Sequence, residues 1–217
     1  GGFLLDEGSI RIDGVDVSKW PEYRRAKLIG RVFQDPFSGT APSMTLFENL
    51  ALASRRGQAR GLGLALNSTT QDELTKSVAA MELGLENRMD NPIGSFSGGQ
   101  RQSLTLLMAT LIRPRLLLLD EHTAALDPRS ADQIIRLTKR SIEHDCLTTM
   151  MVTHSMQQAV SVGDRVIMMD QGKIVLDVSG PRKKGLRPRD LLAKFEELRR
   201  RQQLDETAAD MLQTQYV

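Results

Sequence analysis

Four short stretches of the 217 residues carry groups that could handle a phosphate and a metal ion. Ser97-Gly98-Gly99-Gln100 places two glycines in a first helical turn, marked as such by the Ser and Gln three positions apart. Each glycine costs about 1 kcal/mol relative to alanine inside a helix, so a cap alone does not account for the pair. Bare backbone N–H groups at the positive end of a helix make sense where a phosphate comes close. Leu116 to Leu119 followed by Asp120-Glu121 delivers a carboxylate pair to the end of an apolar strand, the edge at which open α/β sheets bind ligands. There Asp120 could hold Mg²⁺ and Glu121 could orient or deprotonate an attacking water; a plain acidic strand end is the alternative. His154 ends the stretch Met150-Met151-Val152-Thr153 and could donate to a terminal phosphate, or be structural. Gln34 also ends an apolar stretch and could touch Mg²⁺ or its water.

These groups work together only if the elements carrying them converge. Ser9 to Val17 alternates apolar and polar residues and reads as strand and turn. Leu28 to Phe33 is a short apolar strand, followed by a Pro-, Gly- and Ser-rich loop from Asp35 to Ser43. Thr45 with Glu48, and Thr70 with Glu73, form capping boxes that open two helices, with a Gly- and Arg-rich link around Arg55 to Gly63. A small, mainly helical lobe is expected over 45–96. The helix from Ser97 carries Leu104, Leu107, Met108 and Leu111 on one face. Leu116 to Leu119, bounded by Pro114 and two carboxylates, predicts a strand buried on both faces. Ala131 to Ile142 predicts a helix, Leu147 to Val152 a strand, and Ser155 with Gln158 a further cap. Gln171-Gly172 predicts a two-residue hairpin turn between Arg165–Met169 and Lys173–Val178. Leu191, Leu192, Phe195 and Leu198 line a last amphipathic helix. Strands alternating with helices imply an α/β fold with a mainly parallel sheet, whose rim would gather Gln34, Asp120, Glu121 and His154.

Composition narrows the function. Lys and Arg total 29 against 27 for Asp and Glu, a net charge of +2, too small to argue for nucleic acid. The basic excess gathers in Arg182, Lys183, Lys184, Arg187, Arg189 and Arg199 to Arg201, a solvated face or one attracted to anionic lipid. Cys146 is the single cysteine, which excludes an internal disulfide and suits a reducing compartment. No apolar run approaches the roughly 20 residues needed to cross a bilayer.

Taken in order, Gln34 after Val32-Phe33, Phe96-Ser97-Gly98-Gly99-Gln100, Asp120-Glu121, Ala124-Ala125-Leu126-Asp127 and Thr153-His154 resemble the Q-loop, signature, Walker B, D-loop and H-loop of ABC ATPase domains. The resemblance runs from Gly1 to about Gly180. It implies a P-loop NTPase (RecA-like) core with an inserted helical subdomain: 1–44 and 97–180 as the two parts of the core, 45–96 as the helical subdomain, and 181–217 as a basic C-terminal helix and tail. It implies ATP and Mg²⁺ as cofactors. By resemblance, Glu121 is the base, Asp120 anchors Mg²⁺, His154 contacts the γ-phosphate, and Gln34 links the metal site to the membrane partner. Ser97, Gly98, Gly99 and Gln100 would face ATP held by a second copy arranged head to tail, with Asp127 at the seam. The implied partners are that copy, a transmembrane permease and an extracytoplasmic substrate-binding protein, and the implied place is the cytoplasmic face of the membrane, held peripherally. The chain looks closest to a bacterial importer branch, some members of which are thought to handle aromatic amino acids.

Three features depart from the family pattern. Phe96 stands for the usual Leu and His122 for the usual Pro. No G-x-x-x-x-G-K-[S/T] occurs, since Gly172-Lys173 is followed by Ile174 within the hairpin. The family carries that loop with its strand and helix just upstream of the segment matching Gly1, so an N-terminally shortened chain is expected, with little ATP hydrolysis and a weakened fold. A soluble ABC-type ATPase of DNA repair or translation is the alternative. Repair relatives carry long coiled coils and translation relatives two cassettes, so a transporter without a nucleic-acid partner is expected.

Overall fold

A computed structural model describes residues 5–58 and 68–200. The chain divides into two compact units, Gly1–Val152 and Thr153–Val217, each with its own layers.

In the first unit, β1 (Arg11–Ile12) and β2 (Val15–Asp16) form an antiparallel hairpin. Its turn, Asp13-Gly14, holds both residues at positive φ, 52° and 76°, as a two-residue turn matched to strand twist requires. After the single turn α1 (Glu22–Arg25) comes the strand β3 (Ile29–Val32). β4 (Leu116–Asp120) and β5 (Thr149–Val152) complete a parallel sheet in the order β3-β4-β5. The register pairs Val32 with Leu119, Leu119 with Met151, and Asp120 with Val152.

The helical lobe holds α2 (Leu46–Ala53) and α3 (Ser68–Ala79). Thr45 caps α2 as its spacing predicts: its hydroxyl accepts from Glu48 N at 3.1 Å while its own N–H donates to Glu48 Oε2 at 2.8 Å. The second expected box fails. α3 is already helical at Ser68, so Thr70 is an interior residue and cannot cap. Residues 59–63 of the expected Gly- and Arg-rich link lie outside the described residues. Buried Asn49 fastens the loop before α2, donating to the carbonyls of Ala41, Met44 and Thr45 and accepting from Ala41 N at 2.8 Å.

α4 (Gly98–Thr110) joins the two layers. A single apolar face is expected for it, yet Arg101 through Leu106 are all buried. Leu104 and Met108 belong to the core of the helical lobe with Leu46, Leu50, Val78 and Ile93. Leu106 and Ala109 belong to the sheet core with Val32, Leu117 and Leu119. The helix is covered on both sides because it lies between two cores, so its buried positions follow no single stripe. Gly30 makes the approach to the sheet possible: a Cβ there would meet the backbone oxygen of Ala109 at 2.5 Å.

Burial of β4 also departs from expectation. Leu117 and Leu119 are buried, but Leu116 and Leu118 are only half-buried. One sheet face is packed; the other carries Arg31, Leu118, Met150 and Val152 in register, the last two 58% and 52% exposed. α5 (Pro128–Asp145) adds Leu137 and Ile142 to the packed side, and ends at Cys146 in the left-handed conformation.

In the second unit, Ser155 caps α6 (Met156–Ser161), accepting from Gln158 N at 3.3 Å. β6 (Arg165–Asp170) and β7 (Lys173–Ser179) form the expected antiparallel hairpin, with Gln171 and Gly172 at φ 45° and 76°. An Arg165–Asp177 ion pair crosses it. α7 (Gly180–Gly185) packs on the hairpin, and Lys183 donates to the Val160 carbonyl at 2.6 Å. A last helix, α8, covers 188–200 and buries Leu191. Of the basic run, Arg201 lies outside the described residues. Among the described residues no helix is long and apolar enough to cross a membrane.

Candidate functional site

The parallel pairing of β3 with β4 carries the first group. Since Val32 faces Leu119 across the ladder, the next residues of each chain segment, Phe33-Gln34 and Asp120-Glu121, lie at the same carboxyl edge of the sheet. Asp120 lies on the open face, where Arg31 Nη2 donates to its Oδ2 at 3.4 Å, and the Arg31 guanidinium rests 4.3 Å above the Phe33 ring. Both partners of that ion pair are substantially exposed, so the pair is weak and replaceable.

Glu121 turns the chain sharply. Its φ is 42°, in the left-handed region, at a cost of order 1–3 kcal/mol for a residue with a side chain. Two backbone bonds hold it: its N–H donates to Val152 O at 3.0 Å, and its carbonyl accepts from Ala124 N at 2.9 Å. The turn separates two consecutive carboxylates, which a regular strand would also do, and adds a fixed backbone beneath the second.

His122 follows, and it is no surface residue. It is 1% exposed, its Nε2 lies 3.1 Å from Thr138 Oγ1 of α5, and burial pushes its pKa down to about 4. At neutral pH it is an uncharged structural ring, so it brings no titrating proton to the carboxylates at that pH. Gln34 is exposed, and the loop after it is shaped by Asp35, whose carboxylate accepts from Phe37 N at 2.9 Å and from Ser38 Oγ at 3.1 Å.

The second group sits at the amino ends of α4 and α5. Ser97 and Gln100 form the reciprocal cap, at 3.3 Å and 3.1 Å. The two glycines have different reasons to be there. A Cβ on Gly99 would strike Ser130 Oγ at 2.7 Å and Ser130 Cβ at 2.9 Å, so close packing against α5 accounts for it. A Cβ on Gly98 would meet only Leu126 Cδ2, at an ordinary 3.7 Å. Its own packing therefore does not require a bare backbone at Gly98. Asp127 caps α5, accepting from Arg129 N and Ser130 N at 3.1 Å each. Hydrogen bonds from Ser130, then the Arg129 N–H, hold its carboxyl below the usual range. Phe96, the departure from Leu, is buried in the core of the helical lobe with the Arg88 guanidinium 4.2 Å above its ring.

His154 falls in the second unit and is exposed; beside it, Thr153 Oγ1 donates to Gln158 Oε1 at 2.9 Å and accepts from Ser155 N at 3.1 Å. The structure thus gathers Gln34, Asp120 and Glu121 at one sheet edge and Ser97, Gly98, Gly99, Gln100 and Asp127 at one pair of helix ends. α4 runs between the two groups.

Sequence reasoning missed two residues of that helix. Arg101 is buried; its guanidinium donates to the carbonyls of Ile93, Gly94 and Phe96 and stacks 3.8 Å from the Phe37 ring. Gln102 spans from α4 to both loops of the first group. Both lie inside the polar run Gln100 to Ser103 at the start of the helix, which reads as solvated until its burial is seen; once buried, such groups must find partners.

The oxygens suit a Mg²⁺ ion that keeps phosphate and water ligands. Asp120 offers a carboxylate and Gln34 an amide oxygen, and among the described residues no cluster of three or more acidic, His or Cys groups could hold a metal. Mg²⁺ is ordinarily bound by one or two protein carboxylates plus substrate phosphates. It would supply charge neutralisation on a phosphate.

Residues 2–124, more than half of the chain, match the family described as ABC transporter. The chain belongs to the ATP-binding family of ABC transporters. This ABC chain is 43% identical over 189 residues to the tyrosine transport ATP-binding protein of Clostridioides difficile strain R20291, covering 87% of this chain and 75% of that one. It is 34% identical over 192 residues to the phosphate import ATP-binding protein PstB of Aeropyrum pernix, with 87% and 72% covered. Among solved structures it is similar to the dimeric ATP-binding cassette MJ0796 in a post-hydrolysis state with ADP and phosphate. That match has a TM-score of 0.65 and 26% identity, and covers 80% of this chain and 74% of that one. The fold is accordingly that of an ABC ATPase cassette, a P-loop NTPase.

Proposed function

We propose that this chain energises a membrane importer by hydrolysing ATP between two copies of itself, with Glu121 as the base that orients and deprotonates water. The observation that carries the reading is the β3–β4 register, which delivers Gln34 and the Asp120-Glu121 pair to one edge. Asp120 and Gln34 hold Mg²⁺, and His154 contacts the terminal phosphate. Ser97, Gly98, Gly99 and Gln100 of one copy meet the ATP of the other, with Asp127 at the seam. The partners are a transmembrane permease and an extracytoplasmic binding protein, at the cytoplasmic face of the membrane, and no nucleic acid is involved. The cargo is an aromatic amino acid, a reading supported by the 43% identity to a tyrosine transport protein. Because these 217 residues contain no G-x-x-x-x-G-K-[S/T], they alone turn ATP over poorly.

The test is Glu121→Gln in the complete ATPase. Turnover should fall by about 10²–10⁴ while ATP binding persists, so that an ATP-bound dimer accumulates on size-exclusion chromatography. Undiminished turnover rejects Glu121 as the base. Labelled tyrosine taken up by the assembled transporter, and unaffected by thiamine or phosphate, is the expected result for the cargo; competition by either of those overturns it.

A further inference from the structure

Gln102 lies in the second turn of α4, 1% exposed. Its Nε2 donates to the Phe33 carbonyl at 2.9 Å and to the His122 carbonyl at 2.8 Å. Phe33 immediately precedes Gln34, and His122 immediately follows Glu121. An amide nitrogen has two hydrogens, and here each is spent on the carbonyl beside a candidate site residue. The amide oxygen faces the other way, 3.4 Å from Thr105 Oγ1, whose hydroxyl is anchored on the Gln102 carbonyl at 2.8 Å. His122 is held a second time through its ring, by Thr138. The residue after Glu121 is therefore tied to α4 by its backbone and to α5 by its side chain.

We infer that Gln102 is a positioning residue: it sets the spacing between the Gln34 loop and the Glu121 turn, and fixes both to the helix that begins with Ser97-Gly98-Gly99. The inference rests on the reading of Glu121 as base. Removing the donor leaves one buried and one partly buried carbonyl without it, and the adjacent loops relax toward other partners. A displacement of about 1 Å in a group that aligns reactants can cost 100-fold in rate. The Glu121 side chain itself is untouched, so the larger part of the loss acts through the Glu121 turn and vanishes where Glu121 no longer serves as base, leaving only the smaller part that acts through the Gln34 loop.

The experiment is a double-mutant cycle in the complete ATPase assembled with its membrane partner: wild type, Gln102→Met, Glu121→Gln and both together, read by kcat and KM for ATP. Gln102→Met should lower kcat between about tenfold and 100-fold, with KM changed less than about threefold. In the Glu121→Gln background it should lower the residual rate less than about twofold. An equal loss in both backgrounds overturns the inference, because a general packing defect would be independent of the base; so does a kcat within twofold of wild type. If Glu121→Gln itself turns over normally, it is the functional reading that fails. Should Gln102→Met not fold, Gln102→Asn keeps the amide but falls one methylene short. Hydrogen exchange then decides: faster exchange over residues 34–38 and 121–126 with α4 unchanged supports the tether, and unchanged exchange in those loops overturns it.

Discussion

The two faces of the three-stranded sheet are built on different principles. On one, Val32, Leu117, Leu119 and Met151 lie under α4 and α5, and the polar groups at its rim are tethered: the Phe33 and His122 carbonyls by Gln102, the His122 ring by Thr138. On the other, Arg31 and Asp120 share a weak ion pair beside the exposed Met150 and Val152. Asp120 and Glu121 are neighbours in sequence, but Asp120 ends the strand on the open face and Glu121 begins the turn after it. The carboxylate proposed for a metal sits in an exposed ion pair whose partner can be exchanged, and the one proposed for water sits on a turn held by two backbone hydrogen bonds.

That contrast can be broken or sharpened by substitution. The largest effect is expected from Leu117→Ala, which empties a fully buried site on the packed face; unfolding in urea should show a loss of about 2–5 kcal/mol. A loss below 1 kcal/mol would mean that this face is not the core. Acidification comes next. The folded pKa of His122, about 4, lies below its ordinary 6.5, so between those values the unfolded chain holds a proton that the folded one refuses. Stability should fall as pH drops through that window, by up to about 3 kcal/mol. Thermal melts without nucleotide from pH 7 to 4.5 measure it, and His122→Gln should flatten the slope relative to wild type; identical slopes would place the ring in water. The smallest effect belongs to the open face: Met150→Thr should change the free energy of urea unfolding by no more than about 0.5 kcal/mol, and a core-sized loss would show that the face is covered.

Much of this arrangement was legible before any coordinates. Apolar strands ending in Gln34 and in Asp120-Glu121, the boxes at Thr45 and Ser97, and the Gln171-Gly172 turn are local signals, each contained within a few residues. What escaped was non-local. Thr70-x-x-Glu73 has the spacing of a cap, but the helix runs past it, because spacing cannot say where a helix starts. Leu116 to Leu119 looks buried on both sides because periodicity reports side-chain type, not what lies above it. Arg101 and Gln102 carried no motif, since their partners are carbonyls, which every residue owns. The glycine pair reads as one signal in sequence, but packing against Ser130 accounts for Gly99 and not for Gly98.

β5 has β4 as its only strand partner among the described residues, and its outward side chains Met150 and Val152 are bare. Unpaired backbone beside apolar side chains is a template on which another chain can add a strand. Concentrated preparations of these 217 residues should therefore associate through that margin, and a lysine placed at position 150 or 152 would be the simplest way to keep them apart.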